Sequence, residues 1–144
     1  MQKELGLPPP PSSAAVRKSM KANRGRDTGP EMRLRAALWK AGVRGYRVHW
    51  SGVPGRPDLA FPGKRIAVFV NGCYWHRCPR CNLPIPKTHL DFWKKKFELN
   101  VARDERKCRE LRAIGWRVLV LWECETKKDM DRCVERIRRL LSAS

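Results

Sequence analysis

Three cysteines crowd one short stretch, Cys73-x4-Cys78-x2-Cys81, and a fourth, Cys124, stands far along the chain. Thiolates bind zinc tetrahedrally, and a closed structural site takes four protein ligands. The cluster therefore predicts a structural zinc that pins one loop to the edge of a sheet. Cys124 is the expected fourth ligand, with His76 and His89 as the other candidates. The competing use of Cys124 is as a small core residue ending a buried strand. Cys108 and Cys133 fall on apolar helical faces and read as core.

Acids are scarce in this chain, so their settings carry information. Asp58 follows Gly55-Arg56-Pro57 and opens a short apolar segment, Leu59-Ala60-Phe61. A carboxylate there suits a Mg²⁺ ion held between protein and phosphate, or is an ordinary strand-start Asp bonded to its turn. Asp104 falls inside a helical stripe made by Phe97, Val101, Cys108 and Leu111. An inward carboxylate needs a partner, either a buried Arg or a functional group. Glu31 stands three residues after Thr28, the spacing of a helix capping box, and can serve both as cap and as site acid. His76 sits in Tyr74-Trp75-His76 as zinc ligand, spectator or general base. The two rings beside it read either as exposed wedges for a base stack or as a cover over the zinc.

These groups sit in a strongly basic chain. Its 144 residues carry 32 Lys+Arg against 14 Asp+Glu, a formal charge of +18. That surplus repels itself in the compact state, and a polyanionic partner is the usual compensation. With 42% hydrophobic residues and six Trp, a purely disordered basic tail is excluded. No apolar run approaches the roughly 20 residues that span a bilayer, and the N-terminus lacks the apolar core of a secretory signal. A cytoplasmic nucleic-acid binder without a membrane partner is the expectation.

The elements that position these residues are legible from pattern. Residues 1–15, with Pro8 to Pro11, read as a solvated leader, and 16–27 as a basic arm. That arm holds Arg17, Lys18, Lys21 and Arg24 around Met20; it either only adds charge or folds onto a duplex. Residues 28–144 read as one domain. Thr28-Gly-Pro-Glu31 opens a helix that Gly42 closes, with Leu34, Ala37, Leu38 and Ala41 on one face. Tyr46, Val48 and Trp50 alternate with Arg47 and His49 as in a strand. Asp58 to Phe61 and Arg65 to Val70 read as a hairpin around Pro62-Gly63-Lys64. A loop over residues 71–87, a long helix opened by Thr88, a buried strand from Trp116 to Trp122 and a helix from Asp129 to Leu141 complete the chain. The class is α/β, a mixed central sheet with helices on both faces.

Together, these segments resemble the very short patch repair (Vsr) endonucleases. The matching stretches are RGRDTGPEMRLRAALWKAG, PGRPDLAFPGKRIAVFVNGCYWH, THLDFWKKKFELNVARD and GWRVLVLWEC, in that order from about residue 17 to 125. The resemblance implies a restriction-endonuclease-like fold and Mg²⁺-dependent nicking 5′ to the T of a T:G mispair in double-stranded DNA. It implies Asp58 as Mg²⁺ ligand beside the main-chain carbonyl of Val70, His76 as the group activating water, and Glu31 and Asp104 as further acids. Cys73, Cys78, Cys81 and Cys124 match the zinc set, although the family often has His where Cys78 stands. Tyr74, Trp75 and Trp93 match aromatics that wedge beside the mismatch, and Met20 a residue entering from the opposite groove. A monomer acting with other mismatch-repair proteins is implied as well. Asn71 departs from the family, which commonly places His or Asp there, and an amide supplies neither charge nor proton. That departure keeps two alternatives in view: a zinc-stabilised DNA binder with lost or weakened cleavage, and a related nuclease with another DNA substrate.

Overall fold

The computed structural model describes residues 27–143. The leader and the arm, with Arg17, Lys18, Met20, Lys21 and Arg24, lie outside the described residues. Helix α1 (Gly29–Lys40) begins with the expected capping box. Glu31 Oε2 accepts from Thr28 N at 3.0 Å and from Thr28 Oγ1 at 2.9 Å, while Thr28 Oγ1 accepts from Glu31 N at 3.5 Å. Gly42, at φ +83°, takes the left-handed conformation that lets the chain leave the helix.

Four strands form one sheet in the order β1-β2-β3-β4. These are β1 (Arg47–Val48), β2 (Leu59–Phe61), β3 (Ile66–Asn71) and β4 (Arg117–Trp122). The first three run antiparallel, with Leu59 opposite Val68 and Phe61 opposite Ile66. The predicted hairpin is therefore present, its turn a short 3-10 segment over Pro62–Lys64. β4 lies parallel to β3 in register from Ile66↔Arg117 to Asn71↔Trp122. A parallel neighbour requires a long crossover, and α2 (Leu90–Ala113) supplies it. α3 (Glu123–Lys128) and α4 (Met130–Ser142) end the described chain.

Alternation along β3 separates two cores. Ile66, Val68 and Val70 pack with Leu34 and Leu38 of α1 and Ile137 of α4, whereas Ala67 and Phe69 face Leu111 of α2 and Trp116. Helices thus cover both faces of a mixed sheet, as the pattern implied. Among the described residues no helix is long and apolar enough to cross a membrane.

Three local expectations change. The segment around Tyr46–Trp50 contributes only a two-residue strand, because His49 adopts a left-handed φ of +49° and reverses the alternation. Tyr46 then packs edge-on against Phe61, while Trp50 crosses to stack on Trp116. The long helix is capped by His89 at φ +57°, not by Thr88. Cys124 lies in the first turn of α3, a helix that the periodicity did not reveal, and not in β4.

Candidate active site

Asp58 is placed by the Pro54-Gly55-Arg56-Pro57 turn. Gly55 has φ +83°, and a Cβ there would sit 3.0 Å from Lys107 Cβ, so the turn needs glycine on both counts. Asp58 Oδ2 accepts from Val70 N at 2.7 Å. The carboxylate is therefore tied across the hairpin to β3 and not to its own turn. Burial pushes its pKa up to about 7; the Glu31 carboxylate pushes the same way, and the Val70 N–H pulls it down.

Two further side chains converge on it. Glu31 is 4% exposed, and with Oε2 committed to the cap, its Oε1 is turned toward His49 Nε2 at 3.4 Å. His49 Nδ1 lies 3.8 Å from Asp58 Oδ1. Glu31, His49 and Asp58 each present a donor atom within 4.8 Å of the others. Glu31 Oε1 is buried without a hydrogen-bond partner among the described residues. A bare buried carboxylate oxygen costs free energy that a cation would offset, so the residues present fit a divalent ion.

Pattern alone missed His49, which it set on the outward face of a strand. The available signal was register: Val48 pairs with Leu59, which sets His49 beside Asp58, and His49 N does donate to Asp58 O at 3.1 Å.

His76 approaches from the cysteine loop. Its Nδ1 lies 2.6 Å from Asp104 Oδ2 on α2. The partner of the inward Asp104 is thus a histidine and not an arginine. All four expected site residues, Glu31, Asp58, His76 and Asp104, line one cavity of about 570 Å³ together with His49 and Asn71. Val70 lies in its wall, and Lys107 and Lys127 add positive charge around it. Asn71 ends β3 and is buried.

The four thiols converge beside this cavity. Cys73, Cys78, Cys81 and Cys124 place their Sγ atoms within 4.8 Å of one another. Cys78 and Cys124 Sγ are 3.8 Å apart, the edge of a thiolate tetrahedron with metal–sulfur bonds of about 2.3 Å. His76 is engaged with Asp104, and His89 is not among the side chains that converge with the four thiols. Burial raises the Cys73 thiol. Burial also acts to raise Cys78, but the backbone N–H groups of Cys81 and Arg80 outweigh it and bring the thiol to about 7. Cys133 packs in the core as expected.

The aromatic residues differ from the exposed wedges anticipated. Trp75 and Trp93 are buried and form a third small core with Phe97, with Tyr74 packed against it. The first turns of α2 offer an apolar face of their own, apart from both sheet cores, so the rings bury without entering either. Asn100 Nδ2 fixes Trp75 O at 3.2 Å, and the Arg77 guanidinium lies 4.6 Å over Phe97. Tyr74 and Trp75 still reach the cavity wall, but Trp93 does not.

Comparison with known proteins bears on the family and the fold. The family model described as DNA mismatch endonuclease Vsr matches residues 12–82. The type II nicking enzyme V.XorIIP of Xanthomonas oryzae pv. oryzae is 42% identical over 126 residues, 87% of this chain and 90% of that protein. The DNA mismatch endonuclease Vsr of Escherichia coli K12 is 40% identical over 107 residues, 74% of this chain and 68% of that protein. Among solved structures, the catalytic domain of the homing endonuclease I-Bth0305I superposes with a TM-score of 0.52 at 28% identity, covering 79% of this chain and 94% of that one. Fold, cavity and relatives define a DNA endonuclease. The chain belongs to the Vsr family of DNA mismatch endonucleases.

Proposed function

We propose that this endonuclease nicks one strand of double-stranded DNA 5′ to the T of a T:G mispair, by Mg²⁺-dependent phosphodiester hydrolysis that initiates repair. The observation that carries the reading is the shared cavity, which Asp58, Glu31 and the His76–Asp104 pair line together. Asp58 would hold the ion together with the Val70 carbonyl, and the Val70 N–H bond fixes the carboxylate for that task. When bound, the ion supplies Lewis-acid chemistry, polarising the scissile phosphate and stabilising the leaving oxygen. Asp104 accepts the Nδ1 proton of His76 and so leaves Nε2 to take a proton from water. Lys107 and Lys127 add favourable charge for a phosphate in the cavity. Asn71 leaves one wall uncharged, which weakens metal affinity or slows cleavage relative to a site with an acid there.

Zinc at Cys73, Cys78, Cys81 and Cys124 is structural in this reading. It locks the loop that carries His76 against the end of β4. Tyr74 and Trp75 meet the DNA beside the mismatch, where unstacking costs least. Trp93, 3% exposed, enters a duplex only if its packing opens. Residues 1–15 remain a leader and 16–27 an arm on which Met20 and its basic neighbours contact DNA. A single asymmetric mispair suits a monomer, in a cytoplasmic repair setting with other mismatch-repair proteins.

The test is cleavage of a labelled duplex carrying one T:G pair, beside its matched T:A control, with Mg²⁺ or EDTA. Cutting of the T strand alone is expected, reduced about 10²–10⁴-fold in His76→Ala and strongly in Asp104→Asn. Tight mismatch-selective binding without cleavage would replace the reading with a DNA binder of lost activity. Equal cutting of the matched duplex would point to a different DNA substrate.

A further inference from the structure

The imidazole of His49 stands among three carboxylates. Nε2 is 3.3 Å from Asp27 Oδ1 and 3.4 Å from Glu31 Oε1, while Nδ1 is 3.8 Å from Asp58 Oδ1. Asp27 is itself held by Arg35 at 2.5 Å. The His49 side chain is only 9% exposed, and its backbone adopts the uncommon left-handed conformation. A neutral imidazole carries one N–H and one lone pair. Two carboxylates at Nε2 place the N–H there and turn the Nδ1 lone pair toward Asp58. A lone pair and a carboxylate oxygen face each other favourably only with a proton or a cation between them, and 3.8 Å is too long for a shared proton. Their spacing is one that two donors, each about 2.1 Å from an ion, can share. Glu31 Oε1 is buried with no hydrogen bond and only the 3.4 Å approach of Nε2, so it too is left short of positive charge.

We propose that His49 is a further ligand of the active-site metal through Nδ1, with Asp27 as the carboxylate that orients its ring, and that this nitrogen shifts the site's preference from Mg²⁺ toward Mn²⁺. The proposal rests on the reading of Asp58 as the metal carboxylate. Mg²⁺ demands near-ideal octahedral geometry and keeps oxygen donors, whereas Mn²⁺ opens the transition series whose affinity for nitrogen donors rises from it. A carboxylate behind the ligating imidazole fixes its tautomer and strengthens it as a donor.

Pulsed EPR of Mn²⁺ bound to the full-length protein reads the nitrogen directly. Wild type and His76→Ala should show ¹⁴N coupling, and His49→Asn should lose it. Asn tolerates a left-handed backbone, and His49→Gly serves as a second variant if the first does not fold. The Mg²⁺ needed to displace Mn²⁺ should fall in both His49 variants. Asp27→Ala should keep the coupling but weaken Mn²⁺ binding about 10–100-fold. Mn²⁺ in the cysteine cluster would add no such signal, since its donors are sulfur. A wild-type spectrum without nitrogen, a coupling that survives in His49→Asn, or no Mn²⁺ bound at all overturns the proposal. Asp58→Ala separates the two readings. If it binds Mn²⁺ as wild type does, the placement of the metal at Asp58 fails. If it loses Mn²⁺ while wild type shows no nitrogen coupling, only the role of His49 fails.

Discussion

Asp58 meets opposing influences: burial and the Glu31 carboxylate raise its pKa to about 7, and the Val70 N–H lowers it. A proton then competes with the metal for the same oxygen atoms. Mg²⁺ affinity should fall about tenfold for each pH unit below about 7, which a calorimetric titration across pH would read. The sign for stability is opposite to that of a salt-bridged acid. The unfolded carboxyl ionises near its ordinary 3.8 and the folded one near 7, so without added Mg²⁺ this residue destabilises the fold progressively between those values. Asp58→Asn removes the penalty. In denaturant unfolding the variant should gain on wild type as pH rises through that window, then hold a constant difference. The individual chemistry was legible where residue type and setting disagreed, as with the acid Asp104 inside an apolar stripe. His49 was not, because only the register between β1 and β2 brings it beside Asp58.

At the scale of elements, the start of α1 joins stability to chemistry. Thr28 donates twice to Glu31 Oε2 and so decides which way Oε1 points. Thr28→Ala should cost about 1 kcal/mol of stability and weaken divalent-ion binding, while Thr28→Ser should retain most of both. Thermal unfolding beside an Mn²⁺ titration checks the pair. This cap, the hairpin and the place of β4 were readable because local pattern and tertiary demand agree on them, although β4 is an edge strand with only Leu121 buried and not the buried strand expected. The His89 cap was not, since it rests on a left-handed backbone and no side-chain bond, and α3 was not, since it depends on partners distant in sequence. α3, for instance, is anchored by Glu125, which accepts from Trp122 N at 3.0 Å and pairs with Arg80 and Arg136. The burial of Trp75 was not legible for a related reason: pattern shows a face but not that α2 carries a second one.

For the whole molecule, the +18 charge sets how DNA is met. If Arg17, Lys18, Lys21 and Arg24 reach phosphates, deleting residues 1–24 should flatten the log–log salt dependence of binding by about 0.9 for each phosphate no longer neutralised. An unchanged slope would leave that segment as added charge only. If the cysteine cluster holds zinc as proposed, it is the second global determinant. A structural zinc contributes on the order of 10 kcal/mol or more, so a strong chelator should unfold the chain. Cooperative unfolding at an unchanged midpoint in metal-free protein would exclude that role.

The spacing of the four thiols also has a consequence for biosynthesis. Cys73, Cys78 and Cys81 leave the ribosome well before Cys124, which follows the whole of α2 and β4. If the cluster holds zinc as proposed, an ion captured by the nascent chain is first held by three sulfurs, with an open and exchangeable fourth position. It becomes locked in only when β4 lies down beside β3 and delivers the last thiol, so retention of the ion reports that the crossover has closed.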